Sequence, residues 1–398
     1  MTERKASALE VFRIFLKLGL TSFGGPVAHL GYFRDEFVKR RRWFDEKSYA
    51  DLLALCQFLP GPASSQVGIA IGISQAGLAG AAAAWLGFTM PSALALIAFA
   101  YGVDFAGGAL DSGWLHGLKV VAVAVVAQAV WGMAKSLCPD RLRITLAALA
   151  MLVVIALPTS LGQIVAILAG GIIGWRFLPA AAAGATVPMQ YPVGKGLAIG
   201  AWIVFFALLA LLPAAAQVTH DQTLALIDSF YRSGSLVFGG GHVVLPLLQA
   251  EVIPPGWVNS DAFLAGYGAA QAVPGPLFTF AAYLGAIMQP QPNGIAGGLI
   301  CLAAIFLPSF LLIVGALPFW EGLRANPAVQ SALAGVNAAV VGLLLAALYT
   351  PVWTSAILSA RDFALGIVAF ILLVFWRMPP WLVVVLSAAG GAALAAWI

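Results

Sequence analysis

The sequence predicts an all-α polytopic membrane protein. It consists of two inverted-topology repeats of about six membrane segments each, with broken or re-entrant helices, joined by a linker span. Three observations carry that prediction: the composition, a motif that occurs twice, and the unequal charge of two matching loops. Hydrophobic residues make up 62% of the 398 and charged residues 9%, and the mean hydropathy is +0.97. A soluble domain carries roughly a quarter charged residues, so this chain is built for lipid. No cleavable signal peptide is expected, because the charged stretch Met1 to Lys17 is not followed by a short apolar run with a small-residue cleavage site.

The doubled motif sets the repeat. Phe23-Gly24-Gly25-Pro26 is followed by Glu36, Trp43 and Gln57-Phe58-Leu59-Pro60-Gly61-Pro62. Far downstream stand Phe238-Gly239-Gly240-Gly241, Glu251, Trp257 and Gln271-Ala272-Val273-Pro274-Gly275-Pro276. Pro91 matches Pro308 and Leu118 matches Leu333 in the same order. Glycine- and proline-broken segments at matching places in two apolar halves point to a transporter's binding site.

Thirteen apolar segments follow along the chain. The first half (1–178) offers 8–31, 49–72, 76–101, 114–134, 143–157 and 161–177. An Ala/Pro-rich linker at 179–194 and an apolar run at 197–216 make up the connecting region, 179–217. The second half (218–398) offers 222–246, 262–287, 294–317, 327–349, 361–376 and 380–397. Segment 8–31 is basic at both ends and holds Arg13, Lys17 and Gly24-Gly25-Pro26, so it is read as re-entrant or broken, and 222–246 with it. Both Pro-Gly-Pro segments break as well, since proline removes a backbone donor and clashes with the preceding turn. Open backbone at membrane depth survives only inside protein or against water, which implies a polar cavity.

Loop 34–47 carries six Lys and Arg and is placed in the cytoplasm, whereas its counterpart 248–261 carries none. Matching loops of opposite basic content lie on opposite faces, which makes the second half inverted. The N-terminus is then cytoplasmic, and the protein sits in the cell inner membrane. Arg361 is the one basic position that falls on the wrong side.

The chemistry follows from the breaks. Two consecutive glycines let a ligand approach the backbone. Where a helix restarts after such a break, its first amides are unpaired and partly positive, an anion site. Close helix packing is the other use of such glycines. Gln57 and Gln271 precede the two Pro-Gly-Pro breaks, and Ser64, Ser65 and Gln66, or Thr279 in the second copy, follow them as neutral donors. The candidate substrate set is therefore Lys17, Phe23, Gly24, Gly25, Pro26, Gln57, Pro60, Gly61, Pro62, Ser64, Ser65 and Gln66 in one half. In the other it is Arg232, Phe238, Gly239, Gly240, Gln271, Pro274, Gly275, Pro276 and Thr279. Lys17 and Arg232 each lie six residues before the motif's Phe and would form an electropositive vestibule; snorkelling to the interface is the alternative. Lys119 reads as a further, unpaired intramembrane cation. Glu36 and Glu251 are expected in loops. For ion coupling, His29, His242 and Asp228 are candidates, Asp228 also as an i,i+4 partner of Arg232.

No cofactor, metal set or enzyme signature is expected. There is no Walker motif, no paired-histidine motif and no Gly-x-Ser-x-Gly elbow. Cys56, Cys138 and Cys301 have neither metal nor disulfide spacing. Nothing points to nucleic acid, and a homodimer is left open.

At Phe23-Gly24-Gly25-Pro26 with Ala28-His29-Leu30, at Gln57 to Pro62 with Ser64-Ser65-Gln66, and at Gln271 to Pro276, the chain resembles the bacterial chromate ion transporter family. It is similar to the long, two-domain members over essentially its whole length. The resemblance implies export of chromate, with resistance as its consequence, and links the site to sulfate, a tetrahedral dianion of similar size. Residue chemistry alone reaches an oxyanion and leaves open sulfate or other oxyanion uptake or exchange, and an anion channel. The second copy departs from the first, with Gly241 in place of Pro26 and Leu277-Phe278-Thr279 in place of Ala63-Ser64-Ser65.

Overall fold

The computed structural model describes residues 5–105, 113–179 and 191–396. Its described residues are helical, without a strand among them. In the first half the helices are α1 (Ala8–Thr21), α2 (Gly25–Arg34), α3 (Glu46–Phe58), α4 (Ala63–Phe105), α5 (Gly113–Leu137), α6 (Arg141–Ala156) and α7 (Ser160–Phe177). The connecting span is α8 (Lys195–Thr219). Then come α9 (Gln222–Ser235), α10 (Val244–Val252), α11 (Ser260–Ala270), α12 (Phe280–Ile287), α13 (Gly294–Ala316), α14 (Trp320–Ala325), α15 (Pro327–Ala347), α16 (Thr354–Ala356), α17 (Ala360–Val374) and α18 (Pro380–Ala396). Most of the linker 179–194 lies outside the described residues.

Six helical stretches among the described residues are long and apolar enough to cross a membrane, at 63–102, 113–137, 160–177, 195–219, 294–325 and 327–356. The broken segments fall where glycine and proline predict. Segment 8–31 splits at Ser22–Gly24 into α1 and α2. With 14 residues, α1 reaches about 21 Å, short of the ~30 Å hydrocarbon core. The Pro60-Gly61-Pro62 break separates α3 from α4, and 271–276 separates α11 from the turn before α12. Helix α4 itself breaks at Ala76-Gly77, where φ of Gly77 is +60°. Its two parts match α12 and α13 of the second half.

The halves are built on one another. Within each half the leading helix lies in a glycine seam. Gly19 of α1 packs against the Gly87 carbonyl of α4, and its counterpart Gly234 of α9 packs against the Ile305 carbonyl of α13. The later helices exchange. Helix α5 of the first half runs along α17 and α18 of the second, while α15 of the second runs along α6 and α7 of the first. Small residues allow both approaches: Gly113 and Gly117 meet Gly391 and the Ser387 carbonyl, and Gly335 meets Gly170 and Gly174. In lipid, where apolar surface alone gives little drive, such backbone contact is the main source of helix association. Helix α8 packs on α9 and α13. Trp202 Nε1 donates to the Gly315 carbonyl at 2.9 Å and Tyr231 Oη to the Phe205 carbonyl at 2.9 Å, while the outer side chains Ile203, Phe206 and Leu211 stay exposed.

Candidate functional site

The four motif breaks converge. The Gly61 amide donates to the carbonyl of Val237, the residue before Phe238, at 2.6 Å. The Gly275 amide donates to the carbonyl of Ser22, the residue before Phe23, at 2.9 Å. Each Pro-Gly-Pro glycine is thus bonded to the residue that precedes the Gly-Gly motif of the other half, and the two bonds connect matching positions. Two further contacts repeat the pattern. A methyl group on Gly61 would lie 2.8 Å from Ser309 Oγ, and one on Gly275 2.8 Å from Ser92 Oγ. Ser92 and Ser309 follow the matched Pro91 and Pro308. The Gly-Gly segments also touch, because a methyl on Gly241 would lie 3.3 Å from Pro26 Cγ.

Backbone conformation explains why glycine stands at these places. Gly61 has φ of +128° and Gly275 of +95°, and Gly24 and Gly239 have +102° and +74°. These values are open to glycine and strained for any other residue. Pro26 occupies the first turn of α2, where its missing amide costs nothing.

Several side chains here are buried without a hydrogen-bond partner among the described residues: Ser22 Oγ, His29 Nε2, Ser65 Oγ, Gln66 Oε1, Thr89 Oγ1 and Ser309 Oγ. Unpartnered buried polar atoms are rare in folded proteins, and their concentration on the broken helices sets this region apart. His29 Nδ1 lies 3.4 Å from Ser64 Oγ, and its ring stands edge-on to Phe88 at 5.2 Å. Thr279 Oγ1 is spent on the Pro276 carbonyl at 2.8 Å, and Gln66 Nε2 on the Pro60 carbonyl at 2.7 Å. Gln57 is exposed at the end of α3, whereas Gln271 is half-buried and its Nε2 lacks a partner. The Phe23 ring is tilted 54° to that of Trp381, with the centroids 6.2 Å apart. His242 Nδ1 lies 2.8 Å from Tyr267 Oη.

The charged residues are placed differently from one another. Lys17 is exposed on α1. Arg232 sits between two carboxylates, donating to Asp228 Oδ2 at 2.5 Å and to Glu251 Oε2 at 3.2 Å. Glu36 and Glu251, expected in loops, are both helical: Glu36 lies in the π-turn Asp35–Arg40 that prolongs α2, and Glu251 in α10. Each ties its half-helix to an arginine, Glu36 through Arg41 at 2.6 Å and Arg40 at 2.9 Å. Burial works to raise the Glu36 pKa, but the hydrogen bonds from Arg41 and Arg40 outweigh it and hold the carboxyl below its ordinary value.

Lys119 corrects the sequence reading. It is buried but paired, with Nζ 3.0 Å from Asp261 Oδ1 on α11. A second ion pair answers it across the halves, from Arg324 of α14 to buried Asp51 of α3, which also accepts from Trp320 Nε1 at 3.2 Å. The helix that leads into each Pro-Gly-Pro break is therefore tied by an aspartate to a cation of the other half. No local pattern signals these partners, which lie 142 and 273 residues apart in the chain. In the first pair only Lys119 is buried, its side chain 7% exposed against 48% for Asp261, so removing Asp261 leaves the buried ammonium without its partner. Asp261→Asn is expected to lower the unfolding temperature of the detergent-solubilised protein by a few degrees, corresponding to about 1–2 kcal/mol once solvent screening of the half-exposed carboxylate is counted. Lys119→Met combined with Asp261→Leu should recover most of that loss. A double variant as unstable as the single one would show that the pair is not the source.

Among the described residues the fold is that of a multi-pass α-helical membrane protein whose broken helices from both halves contact one another near buried, largely neutral polar groups. The chain belongs to the chromate transporter family: the family model matches residues 9–175 and again 224–392. A chromate transport protein of Pseudomonas aeruginosa is 29% identical over 404 residues, covering 98% of this chain and 92% of that protein. A probable chromate transport protein of Synechococcus elongatus is 26% identical, covering 97% and 95%. The uncharacterized transporter YwrB of Bacillus subtilis is 31% identical over 179 residues, which is 44% of this chain and 86% of that one. No solved structure matches the fold.

Proposed function

We propose that this protein is a secondary transporter that exports chromate from the cytoplasm across the inner membrane and thereby confers chromate resistance. The observation that carries the reading is the reciprocal pair of bonds, Gly61 to Val237 and Gly275 to Ser22. They join the broken helices of both halves at one place, as an alternating-access carrier with inverted halves requires of its substrate site. The oxyanion binds there between the Gly-Gly and Pro-Gly-Pro breaks, with backbone amides, Ser64, Ser65 and Gln271 as donors and Lys17 at the approach. The basic loop 34–47 faces the cytoplasm in this reading, as does the N-terminus. Export of a dianion from a negative-inside cell is already favoured by about 2.3 kcal/mol per charge per 100 mV, so no ATP-hydrolysing part is needed.

The test is chromate flux. Cells carrying the protein should accumulate several-fold less chromate than cells without it, and everted vesicles should take chromate up saturably. Greater accumulation, with sulfate competing, would instead make the protein an oxyanion importer or exchanger. Flux that fails to saturate would make it a channel.

A further inference from the structure

The two halves match in backbone but not in what lines their breaks. Around the bond from Gly275 to Ser22, the first half places Ser22, His29, Ser64 and Ser92, all at most 2% exposed. The contacts are continuous. His29 Nδ1 lies 3.4 Å from Ser64 Oγ, its ring lies beside the Ser22 backbone, and Ser92 faces Gly275. Ser22 Oγ and His29 Nε2 have no partner among the described residues. Ser92 Oγ donates to the Thr89 carbonyl at 3.1 Å, so its lone pairs stay free and its proton can be redirected.

Three of the four matching positions in the second half are apolar, and the fourth, Ser309, is a serine like Ser92. Val237 stands for Ser22, Val244 for His29, Phe278 for Ser64 and Phe306 for Thr89. All four are buried to 1% or less, and the rings of Phe278 and Phe306 lie 5.7 Å apart. Ser309 keeps its hydroxyl, as does Thr279, the match of Ser65, but Thr279 Oγ1 is spent on the Pro276 carbonyl and the Gln66 Nε2 beside Gly61 on the Pro60 carbonyl.

We infer that the transported oxyanion is held by a pocket of the first half, formed by Ser22, His29, Ser64 and Ser92 and closed by the Gly275 backbone, while in the second half Val237, Val244 and Phe278 occupy the places of Ser22, His29 and Ser64. The inference rests on the transport function proposed above. The donor set is hydroxyl and imidazole, without a cation, which suits a tetrahedral dianion. Charge-assisted hydrogen bonds replace water on its oxygens, and no fixed positive charge retains it. Ser22, Thr89 and Ser92 stand outside the repeated motif, and a lone hydroxyl in a membrane helix gives no signal in a sequence.

The experiment uses the full-length protein in proteoliposomes, with chromate as the probe and sulfate as competitor. Ser22→Ala and Ser92→Ala should each raise KM for chromate by about tenfold or more, the effect of losing one hydrogen bond to a charged group. Ser309→Ala, at the matching serine of the second half, should stay within about twofold. Chromate should raise the unfolding temperature of the wild type and of Ser309→Ala, and that protection should be lost in Ser92→Ala. If Ser22→Ala does not assemble, Ser92→Ala and His29→Asn report on the same pocket. Wild-type transport with KM unchanged in Ser22→Ala and Ser92→Ala, or with Ser309→Ala as impaired as Ser92→Ala, overturns the one-sided pocket and leaves the transporter standing. A wild type that moves neither anion refutes the transport function and this pocket together.

Discussion

Gly275→Ala is expected to abolish chromate transport and to reduce the folded protein recovered from membranes, and Gly61→Ala should do the same more mildly. Both glycines hold φ values that a Cβ strains, at a cost of about 1–3 kcal/mol. What differs is what the added methyl meets. At Gly275 it would lie 3.0 Å from the Phe88 carbonyl, which belongs to the backbone of α4 and cannot turn aside. At Gly61 it would meet Gln66 Nε2 at 2.5 Å and Ser309 Oγ at 2.8 Å, both ends of side chains that can rotate. Overpacking adds about 1–3 kcal/mol, with Gly275 at the upper end. Gly25→Ala serves as the comparison for folded yield alone, because φ there is +75° but nothing lies within 4 Å. Fluorescence-detected size exclusion and chromate accumulation read the series. Gly275→Ala giving the same folded yield as Gly25→Ala would mean that the cross-half contact is not tight.

Arg232→Ala is the second large effect, expected on folding before transport. The guanidinium is the shared partner of Asp228 and Glu251, whose side chains are both only 9% exposed. Removing it strands two buried carboxylates at once, a loss of about 3 kcal/mol or more. Asp228→Asn in the Arg232→Ala background should restore part of the yield by removing one stranded charge. Lys17→Ala should leave stability within about 0.5 kcal/mol, as expected for an exposed position. Thermal unfolding and flux, measured on the same preparations, separate the two roles. A stable Arg232→Ala protein with weakened chromate transport would favour direct attraction of the anion over a structural tie.

The breaks were legible because glycine and proline act locally. Gly24-Gly25-Pro26, Pro60-Gly61-Pro62 and Pro274-Gly275-Pro276 interrupt helices wherever they occur in an apolar run, and the structure breaks there. The i,i+4 spacing of Asp228 and Arg232 likewise made their ion pair readable. The partners of Lys119 and Asp51 could not be read, because they come from the opposite half and the pairing depends on how helices exchange. Glu36 and Glu251 were expected in loops because the charged and proline-rich stretches around them look irregular. The π-turn after α2 and the full length of α10 absorb them into helix.

The exchange of α5 and α15 between the halves has a consequence for how the chain is made. His116 of α5 finds Asp362 of α17 at 2.7 Å, across 246 residues of sequence. At typical synthesis rates that is a wait of about 10–50 s between the two strokes of the same contact. Until α18 is made, Gly113 and Gly117 of α5 have no Gly391 or Ser387 to pack against. The molecule is therefore finished from its end backwards. A ribosome that stalls after residue 300 leaves not a half-transporter but an open seam.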